Sequence, residues 1–336
     1  MRLSRLRAWQ SDDSQSAKVN LEDCLPAHLR SPATTITRIS MGFSGAGVYR
    51  VDAGSRAYVL KVSAQSAPLD DWRRNLAIQR SAATAGISPT IVHADETHRA
   101  VVSEFIVDRS FAALYGNPQT RPRALGQLAT MLRDVHELPV PDGARVANPT
   151  QLLGETLATL DAAKFAIPEF AREAAQRVLA ECPPASDEAP VLSHNDVNPS
   201  NLVHDGERLL LLDWDMAAPN ARHYDLATAA LFFRMDAAAS EQLLTAYGER
   251  TGAALPAGFL YNRRLVAVFA GLTFLDLARQ RGYPGATAVD IEPVLSLGEC
   301  YGRMRAGAFD IGSAGGQWSF GLALIKEESN PVVAKD

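Results

Sequence analysis

Residues 190–218 constrain the fold and chemistry of this chain more than any other stretch. Two short apolar runs flank a Gly-containing turn at 204–207, which predicts a β-hairpin. Asp196 precedes the hairpin, Asn201 follows after four intervening residues, and Asp213 ends the second run. Carboxylate and amide oxygens suit Mg²⁺, and a further carboxylate can orient an attacking hydroxyl. The pattern therefore predicts a metal-dependent phosphoryl-transfer site; the simpler alternative is a surface hairpin with ordinary turn residues.

The composition is that of a globular protein. The chain has 336 residues, 47% of them hydrophobic and 21% charged, enough for one large domain or two smaller ones. Apolar runs stay short of the ~20 residues of a membrane-spanning helix, and the N-terminal residues lack the apolar stretch of a secretory signal. We therefore expect no membrane partner.

The net charge and the cysteines indicate which kinds of partner and which cellular compartment to expect. The net charge is −5 with both signs interspersed, which argues against a nucleic-acid partner and is compatible with a cationic substrate. Cys24, Cys182 and Cys300 lie far apart, and their odd number prevents complete pairing within the chain. These features predict a reducing, cytoplasmic location. The pattern gives no indication of the oligomeric state.

The stretch 36–63 predicts a β-meander with a glycine-rich first turn. Three apolar segments are separated by turns, and Gly42, Gly45 and Gly47 lie between the first two segments. Glycines let a backbone approach a ligand closely and direct N–H groups at phosphate oxygens. The turn is therefore a candidate phosphate-binding loop, although glycine-rich hairpins are common.

Lys61 lies inside the third apolar segment. Strand alternation places Tyr58 and Leu60 on one face and Val59 and Lys61 on the other. A lysine in an apolar strand needs an anion to neutralise it, or it must reach solvent from an edge strand. Because the glycine turn comes one strand earlier, we favour a phosphate-neutralising role.

Beyond these strands the pattern changes from sheet to helix. Residues 68–85 predict a helix that stops at Gly86, and strands are expected at 90–93 and 100–106. After Ile106, apolar residues recur at helical spacing. We predict helices at 123–137, 151–164, 168–181, 224–233, 238–250, 256–281 and 291–307, and an irregular stretch over the last thirty residues.

The ordered set of a glycine hairpin, a strand lysine, a helix, H-N-D-x-x-x-x-N and L-L-D resembles the protein-kinase-like fold in its small-molecule branch. This is the family of aminoglycoside phosphotransferases and choline/ethanolamine kinases, and the resemblance covers roughly residues 36–300. It implies an α+β, two-lobed fold with a small antiparallel-sheet N-lobe carrying one helix and a larger, mainly helical C-lobe. The expected boundaries are a variable segment at 1–35, the nucleotide-binding N-lobe at 36–106, the catalytic and substrate-binding C-lobe at 107–310 and a tail at 311–336.

The resemblance also implies roles for individual residues, with ATP and Mg²⁺ as cofactors. Asp196 would be the catalytic carboxylate that orients the substrate hydroxyl, and Asn201 and Asp213 would bind the metal. His194 would be a structural residue of the catalytic loop, not a general base. The implied nucleotide-binding residues are Lys61 for the α/β phosphates, the backbone of Ser44, Gly45, Ala46 and Gly47 over the phosphates, and the backbone from Glu104 to Ile106 for adenine.

One position departs from the family pattern. Relatives supply a glutamate from the helix after the lysine, but here the expected position falls near Asn75, which carries no charge. Asp71 lies four residues earlier and therefore on the same helix face. We predict Asp71 as the ionic partner of Lys61; if neither residue reaches the lysine, the case for an active enzyme weakens.

Other residues near the motif allow two interpretations. Asp225 resembles the family aspartate behind the catalytic loop and is expected to anchor that loop and cap a helix. Trp214 and Asp215 could bind a quaternary ammonium through cation–π attraction and charge; alternatively, Trp214 packs in the core and Asp215 is solvated. The aromatic residues Tyr115, Tyr261 and Trp318 could line a pocket, and the sequence does not choose among them.

The expected function is ATP-dependent phosphorylation of a hydroxyl on a small metabolite. Asn195 in H-N-D resembles the choline/ethanolamine side of the family, where aminoglycoside enzymes frequently carry glycine. We therefore rank an amino alcohol first, with an aminoglycoside or thiamine as alternatives. A non-catalytic nucleotide-binding module is the competing class. A protein kinase is disfavoured because the stretch from Asp213 to Asp225 is too short for an activation segment.

Overall fold

The computed structural model describes residues 20–39, 47–66, 68–185, 188–249, 254–286 and 293–329. The chain forms two compact units. The first unit comprises residues 1–144 and 199–217, and the second comprises residues 145–198 and 218–336. A five-stranded antiparallel sheet dominates the first unit and helices dominate the second, which confirms the predicted α+β class.

The sheet of the first unit has the strand order β1-β2-β3-β5-β4, with all neighbours antiparallel. Tyr58 and Leu60 are buried in one hydrophobic cluster, whereas Lys61 lies opposite Val101 on the other face of the sheet. This is the alternation that the sequence predicts. The strands are β1 (Thr35–Arg38), β2 (Gly47–Ala53), β3 (Arg56–Val62), β4 (Ile91–Asp95) and β5 (Ala100–Glu104).

Helix α1 (Leu69–Thr84) covers the face of the sheet that carries Lys61. Its apolar residues Trp72 and Leu76 pack against Val101. Two further helices follow, α2 (Phe111–Gly116) and α3 (Arg121–His136). Of these, the short helix α2 is not indicated by the sequence, since its six residues are fewer than two full turns.

The hairpin predicted around 204–207 is present in the first unit. Strands β7 (Leu202–His204) and β8 (Leu209–Leu211) pair antiparallel, with Leu202 opposite Leu211. The N–H of Leu211 also donates to the carbonyl of Ile87 at 2.7 Å. This hydrogen bond connects the end of β8 to the segment that follows α1 and so fixes the position of the hairpin within the first unit.

The second unit is built around one long buried helix, α8. Residues on all sides of α8 are buried, and it packs against four other helices, α4, α5, α6 and α10. A helix that is apolar on every side is typical of a protein interior. The elements are α4 (Pro149–Ala162), α5 (Glu169–Ala180), β6 (Val191–Ser193), β9 (Ala218–Asn220), α6 (Arg222–Phe232), α7 (Ala237–Tyr247), α8 (Ala257–Gln280), α9 (Leu297–Arg305) and α10 (Ala314–Lys326).

The prediction of an irregular C-terminal stretch is wrong. Residues 314–326 form α10, whose N-cap Ser313 accepts a hydrogen bond from the N–H of Gly316. Glycines in the first turn lower helix propensity, but the apolar residues that follow are buried against α8. Gly271 of α8 allows this close packing, since a Cβ there would lie 2.8 Å from the carbonyl oxygen of Gly321.

None of the helices within the described ranges combines the length and the hydropathy that a membrane crossing requires.

Candidate active site

Lys61 and two carboxylates form an ionic cluster in the first unit. The Nζ atom of Lys61 lies 2.7 Å from Oδ1 of Asp213 and 2.8 Å from Oδ1 of Asp215. The side chain of Lys61 is 20% exposed, and those of Asp213 and Asp215 are 31% and 43% exposed. The structure thus brings together Lys61 and Asp213, two residues that the sequence assigns to phosphate and metal binding.

The two carboxylates neutralise the lysine. Burial by itself would lower the pKa of Lys61, but the charges of Asp213 and Asp215 and their hydrogen bonds outweigh burial and raise the pKa above its ordinary value. Lys61 is therefore a permanent ammonium at physiological pH. A cation of this kind is suited to bind phosphate oxygens.

A buried tryptophan fixes the turn that carries both carboxylates. Asp213 adopts a left-handed backbone conformation (φ 61°, ψ 74°), and a 3₁₀ turn follows at Trp214–Met216. Trp214 is 2% exposed, and its Nε1 donates to the carbonyl of Leu211 at 3.2 Å. Trp214 therefore packs in the core and offers no face to an ammonium ligand. Asp215 is ion-paired with Lys61, which neither interpretation of the sequence anticipates.

The prediction that Asp71 pairs with Lys61 is wrong. Asp71 forms an ion pair with Arg74, three residues later on α1, while Lys61 pairs with Asp213 and Asp215. Charged residues at i and i+3 of a helix are neighbours, so Arg74 is within local reach of Asp71. Asn75, the other candidate position, donates from Nδ2 to the backbone carbonyl of Asp215 at 3.1 Å.

Asn201 lies next to the end of β8 in the same unit. It belongs to a short 3₁₀ turn (Pro199–Asn201), and its backbone carbonyl accepts a hydrogen bond from the N–H of Leu212 at 2.9 Å. Leu212 directly precedes Asp213. The hydrogen bond therefore keeps the segment that carries Asn201 next to the segment that carries Asp213, the two predicted metal ligands. Asn201 is 9% exposed.

The donors in this region fit a magnesium ion. Asn201 and Asp213 offer an amide oxygen and carboxylate oxygens, the hard ligands that Mg²⁺ prefers, and Mg²⁺ usually completes its coordination with phosphate oxygens and water. Across the described stretches of the chain, three or more His, Cys, Asp or Glu residues do not come together in a group that could hold a metal. Magnesium sites that also hold a phosphate compound need few protein ligands, because phosphate oxygens and water supply the others.

The remaining nucleotide-binding predictions concern the sheet. Ser44, Gly45 and Ala46 lie outside the described residues, and Gly47 is the first residue of β2. A Cβ added at Gly47 would lie 2.7 Å from the ring of Tyr49, so glycine also relieves crowding there. At the end of β5, the amide of Glu104 donates to the carbonyl of Thr90 at 3.0 Å.

Beyond Glu104 the chain leaves the sheet. The amide of Phe105 donates to the carbonyl of Ala57 at 3.2 Å, and Ile106 follows outside the strand. The sheet therefore uses the amides of Glu104 and Phe105. Adenine binding by this segment stays a prediction for the Glu104 carbonyl and the Ile106 backbone.

In the second unit, Asp225 fixes the backbone that leads to Asp196. The carboxylate of Asp225 accepts the N–H of His194 through Oδ2 and the N–H of Asn195 through Oδ1, both at 2.7 Å. Asp225 is fully buried. The prediction that it anchors the loop is confirmed. The prediction that it caps a helix is wrong, since α6 begins at Arg222 and its N-cap residue, Ala221, makes no side-chain cap.

Asn195 has a structural role that the sequence does not reveal. Its φ of 64° is in the left-handed region, which glycine and asparagine tolerate better than other residues. Its Nδ2 donates to the carbonyls of Ser193 and Ala218 at 3.3 and 3.1 Å, and its Oδ1 accepts from Nδ2 of Asn220 at 2.7 Å. Both asparagine and glycine tolerate this backbone conformation, so residue 195 also has a structural reason to be one of the two.

Asp196 itself is half-buried and has a local partner. Its Oδ1 accepts from Nδ2 of Asn198 at 2.8 Å. Burial, together with the nearby charges of Asp196 and Asp225, raises the pKa of the Tyr224 hydroxyl above its ordinary range. Tyr224 therefore stays neutral beside Asp196. His194 is fully buried, and its role as a scaffold residue stays a prediction.

The aromatic residues considered for a substrate pocket have other contacts. In the second unit, Tyr261 is 4% exposed and its hydroxyl lies 3.1 Å from Oγ1 of Thr150. Trp318 is buried and stacks on Tyr283, with ring centroids 4.6 Å apart. In the first unit, Tyr115 stacks on Phe111 and faces the guanidinium of Arg121. Tyr261 and Trp318 are therefore core residues.

This architecture, a five-stranded antiparallel sheet with one covering helix and a mainly helical second unit, is a protein-kinase-like fold. The family model described as "Phosphotransferase enzyme family" matches residues 35–259, more than half of the chain. The chain belongs to this family. The match confirms the predicted resemblance and the predicted class of enzyme, a phosphotransferase. A search of curated protein sequences found no significant match.

Solved structures share the fold at low sequence identity. A choline/ethanolamine kinase family protein from Mesorhizobium loti is 18% identical with a TM-score of 0.56, covering 87% of this chain and 92% of that chain. Plasmodium vivax ethanolamine kinase is 14% identical with a TM-score of 0.59, covering 90% and 84%. Spectinomycin phosphotransferase in complex with ADP and spectinomycin is 15% identical with a TM-score of 0.55, covering 87% and 93%.

Proposed function

We propose that this phosphotransferase uses Mg²⁺ and ATP to phosphorylate a hydroxyl of a small metabolite. The observation that carries the proposal is the cluster of Lys61 and Asp213 at 2.7 Å, with Asn201 held on the adjacent segment. A phosphate-binding cation beside oxygen ligands for a metal is what phosphoryl transfer requires of a nucleotide site. The solved relative in complex with ADP supports nucleotide binding.

In this proposal the residues divide the work. Asp196 accepts a hydrogen bond from the acceptor hydroxyl and orients its oxygen toward the γ-phosphorus. It takes the hydroxyl proton as the new O–P bond forms and the bond from the γ-phosphorus to the β–γ bridging oxygen breaks, with ADP as the leaving group. Asn201 and Asp213 hold Mg²⁺, which when bound neutralises charge on the phosphates. Lys61 binds the α/β phosphates. The backbone of residues 44–47 covers the phosphates, and that of Glu104 to Ile106 binds adenine, within a nucleotide-binding lobe at 36–106.

The acceptor we rank first is an amino alcohol similar to choline or ethanolamine. Support comes from the net charge of −5, which suits a cationic substrate, and from the choline and ethanolamine kinases among the structural relatives. The relatives also include spectinomycin and aminoglycoside phosphotransferases, so an aminoglycoside is the second candidate and thiamine the third. Asn195 adds little to this ranking, because the backbone conformation at residue 195 also favours asparagine or glycine. We further propose a cytoplasmic enzyme without nucleic-acid or membrane partners.

The decisive experiment is a screen for acceptor-dependent ATP consumption. Choline, ethanolamine, spectinomycin, kanamycin and thiamine are tested with Mg²⁺, and the product is identified by mass. We expect turnover with at least one amino alcohol, and in Asp196→Asn a kcat that is lower by about a thousandfold. Asp142→Asn, an exposed aspartate in the first unit, is the matched control and should behave as wild type. Wild-type turnover by Asp196→Asn would remove the role assigned to that carboxylate.

A second candidate function is a non-catalytic nucleotide-binding module, suggested by Asn75 at the position where relatives carry glutamate. The screen separates the two. Calorimetry that shows Mg-ADP binding without turnover of any acceptor would favour the module. Absence of both binding and turnover would contradict ATP-dependent phosphorylation.

A further inference from the structure

Asp215 has no role in the proposed chemistry, yet its carboxylate lies 2.8 Å from Nζ of Lys61. We propose that Asp215 is the positioning residue for Lys61. The inference rests on the proposed function, because it assigns Lys61 to nucleotide phosphates. It adds a residue to the nucleotide site and relocates the ionic partner of the lysine from α1 to the turn after β8.

The first-turn carboxylates of helix α1 pair within the helix. Asp70 lies 3.3 Å from Arg73 and Asp71 contacts Arg74, both arginines of the same helix. Within the described residues, the carboxylates that form ion pairs with Nζ of Lys61 are those of Asp213 and Asp215, both from the turn after β8. The charge that the helix does not supply is thus supplied by this turn.

Asp215 is held in place from two directions. Trp214 precedes it and is buried, which fixes the 3₁₀ turn on the hairpin. From α1, the Nδ2 of Asn75 donates to the backbone carbonyl of Asp215 at 3.1 Å. The uncharged Asn75 thereby retains a connection between α1 and the lysine, although the connection runs through the backbone of Asp215.

Two carboxylates are needed at Lys61 because Asp213 has a second task. A carboxylate that ligates a divalent cation shares its negative charge with that ion and neutralises a neighbouring ammonium less well. Lys61 is 20% exposed, so an unbalanced ammonium would retain only part of its hydration. Asp215 remains as its counter-ion when Asp213 binds metal. Both carboxylates contact Lys61 in the structure, and in this inference Asp213 would turn to the metal while Asp215 stays with the lysine.

A double-mutant cycle on ADP binding tests the inference without any acceptor. Calorimetry compares wild type, Asp215→Asn, Lys61→Ala and the double variant. Loss of one charge-assisted hydrogen bond predicts about tenfold weaker ADP binding in Asp215→Asn. The double variant should bind like Lys61→Ala, and Asp215→Glu, which keeps the charge, should recover most of the affinity. If the losses of the two single variants multiply in the double variant, Asp215 acts independently of Lys61 and the inference falls.

Asp71→Asn is the matched control, since it removes a carboxylate of α1 that pairs with Arg74. We expect wild-type ADP affinity. A loss of ADP affinity as large as that of Asp215→Asn would indicate that a carboxylate of α1 positions Lys61, which would overturn the assignment to Asp215.

The same four proteins are compared by thermal unfolding in the absence of ligand. Non-additive shifts in Tm between Lys61→Ala and Asp215→Asn would support the pair, and additive shifts would contradict it. Wild-type protein that binds no ADP would overturn the proposed function, while the Tm cycle would still decide whether Asp215 holds Lys61.

Discussion

The two units hold their site residues by different kinds of interaction. In the second unit, the loop before Asp196 is fixed by the fully buried Asp225, which accepts two backbone N–H groups at 2.7 Å. In the first unit, Asp213 and Asp215 share Lys61, and both carboxylates remain partly exposed.

This difference indicates that the Asp225 network serves mainly stability, whereas the Lys61 cluster serves mainly ligand binding. A buried carboxylate is tolerated only when hydrogen bonds satisfy it, and removing it leaves buried N–H groups without acceptors. Partly exposed ion pairs contribute less stability than a buried hydrogen-bonded carboxylate, and they can rearrange when phosphate or metal arrives. We therefore expect substitutions at the Asp225 network to lower the stability of the second unit, and substitutions at the Lys61 cluster mainly to change nucleotide binding. The predictions below test this contrast.

The largest effect is expected for Asp196→Asn. Loss of a positioned carboxylate that accepts the hydroxyl proton should lower kcat about a thousandfold. The Tm should stay within a few degrees of wild type, because Asp196 is only half-buried. Steady-state kinetics on the acceptor found in the screen, together with calorimetric melting, check both parts. A large fall in Tm would show that Asp196 belongs to the structural network.

Asp225→Ala should show the opposite pattern. The buried N–H of His194 and the partly buried N–H of Asn195 would lose their acceptor, which should lower the free energy of unfolding by about 3 kcal/mol. Urea denaturation followed by circular dichroism measures the loss. Asp276→Ala, which removes a carboxylate paired with Arg279 in the same unit, serves as the comparison and should cost less than about 1 kcal/mol. Equal effects of the two substitutions would contradict the anchoring role.

Residue 195 tests whether asparagine there serves the backbone or the acceptor. Asn195→Ala and Asn195→Gly both lose the bonds to Ser193, Ala218 and Asn220, but only alanine is strained at a φ of 64°. Alanine should therefore be less stable than glycine by about 1 kcal/mol in urea denaturation. The order of preferred acceptors should be unchanged in Asn195→Gly. A switch of preference toward aminoglycosides would restore residue 195 as a marker of substrate.

The smallest signal comes from the buried thiols, one in each unit. Burial raises the pKa of Cys24 and of Cys300 to about 11, whereas Cys182 is exposed. At pH 8 a thiol reagent should label Cys182 quickly and the other two only on local opening. Mass spectrometry after labelling in low urea therefore reports the opening of each unit separately. Asp225→Ala should accelerate labelling of Cys300 more than that of Cys24.

Raised thiol pKa values also set the sign of a pH effect. Each of these thiols has a pKa of about 11 in the folded state and an ordinary pKa of 9.0, so it keeps its proton to a higher pH when the protein is folded. Its contribution to stability is complete below pH 9 and is lost as the pH rises toward 11. Unfolding midpoints measured from pH 8 to 11 should fall, and Cys24→Ala together with Cys300→Ala should reduce that fall.

Local patterns predicted most of the fold. Strand alternation placed Tyr58 and Leu60 opposite Lys61, and the turn at 204–207 identified the hairpin, because these features depend on neighbours along the chain. Helix α10 was missed because Gly315 and Gly316 lower helix propensity. Burial against α8 outweighs that propensity, and it is not visible in a local window.

The site was predicted less completely than the fold. The spacing of Asp196, Asn201 and Asp213 identified a candidate phosphoryl-transfer motif, and Asp225 was correctly expected to anchor the loop. The partner of Lys61 was predicted as Asp71 by counting along a helix. Counting along α1 considers only residues of that helix, and Asp215 lies outside it, in the turn after β8. A signal was nevertheless present, since Asp215 follows Asp213 by two residues in a turn.

The sequence by itself determined the class of chemistry, because the spacing of the motif residues and the apolar periods of strands and helices are properties of adjacent chain. Only the tertiary structure decided which charges meet. Lys61 and Asp213 are 152 residues apart in sequence but 2.7 Å apart in space. Likewise, Asp225 reaches the N–H groups of residues 194 and 195 from 31 and 30 residues away. Ion pairs and buried hydrogen bonds depend on distance in space, which the spacing of residues along a chain does not specify.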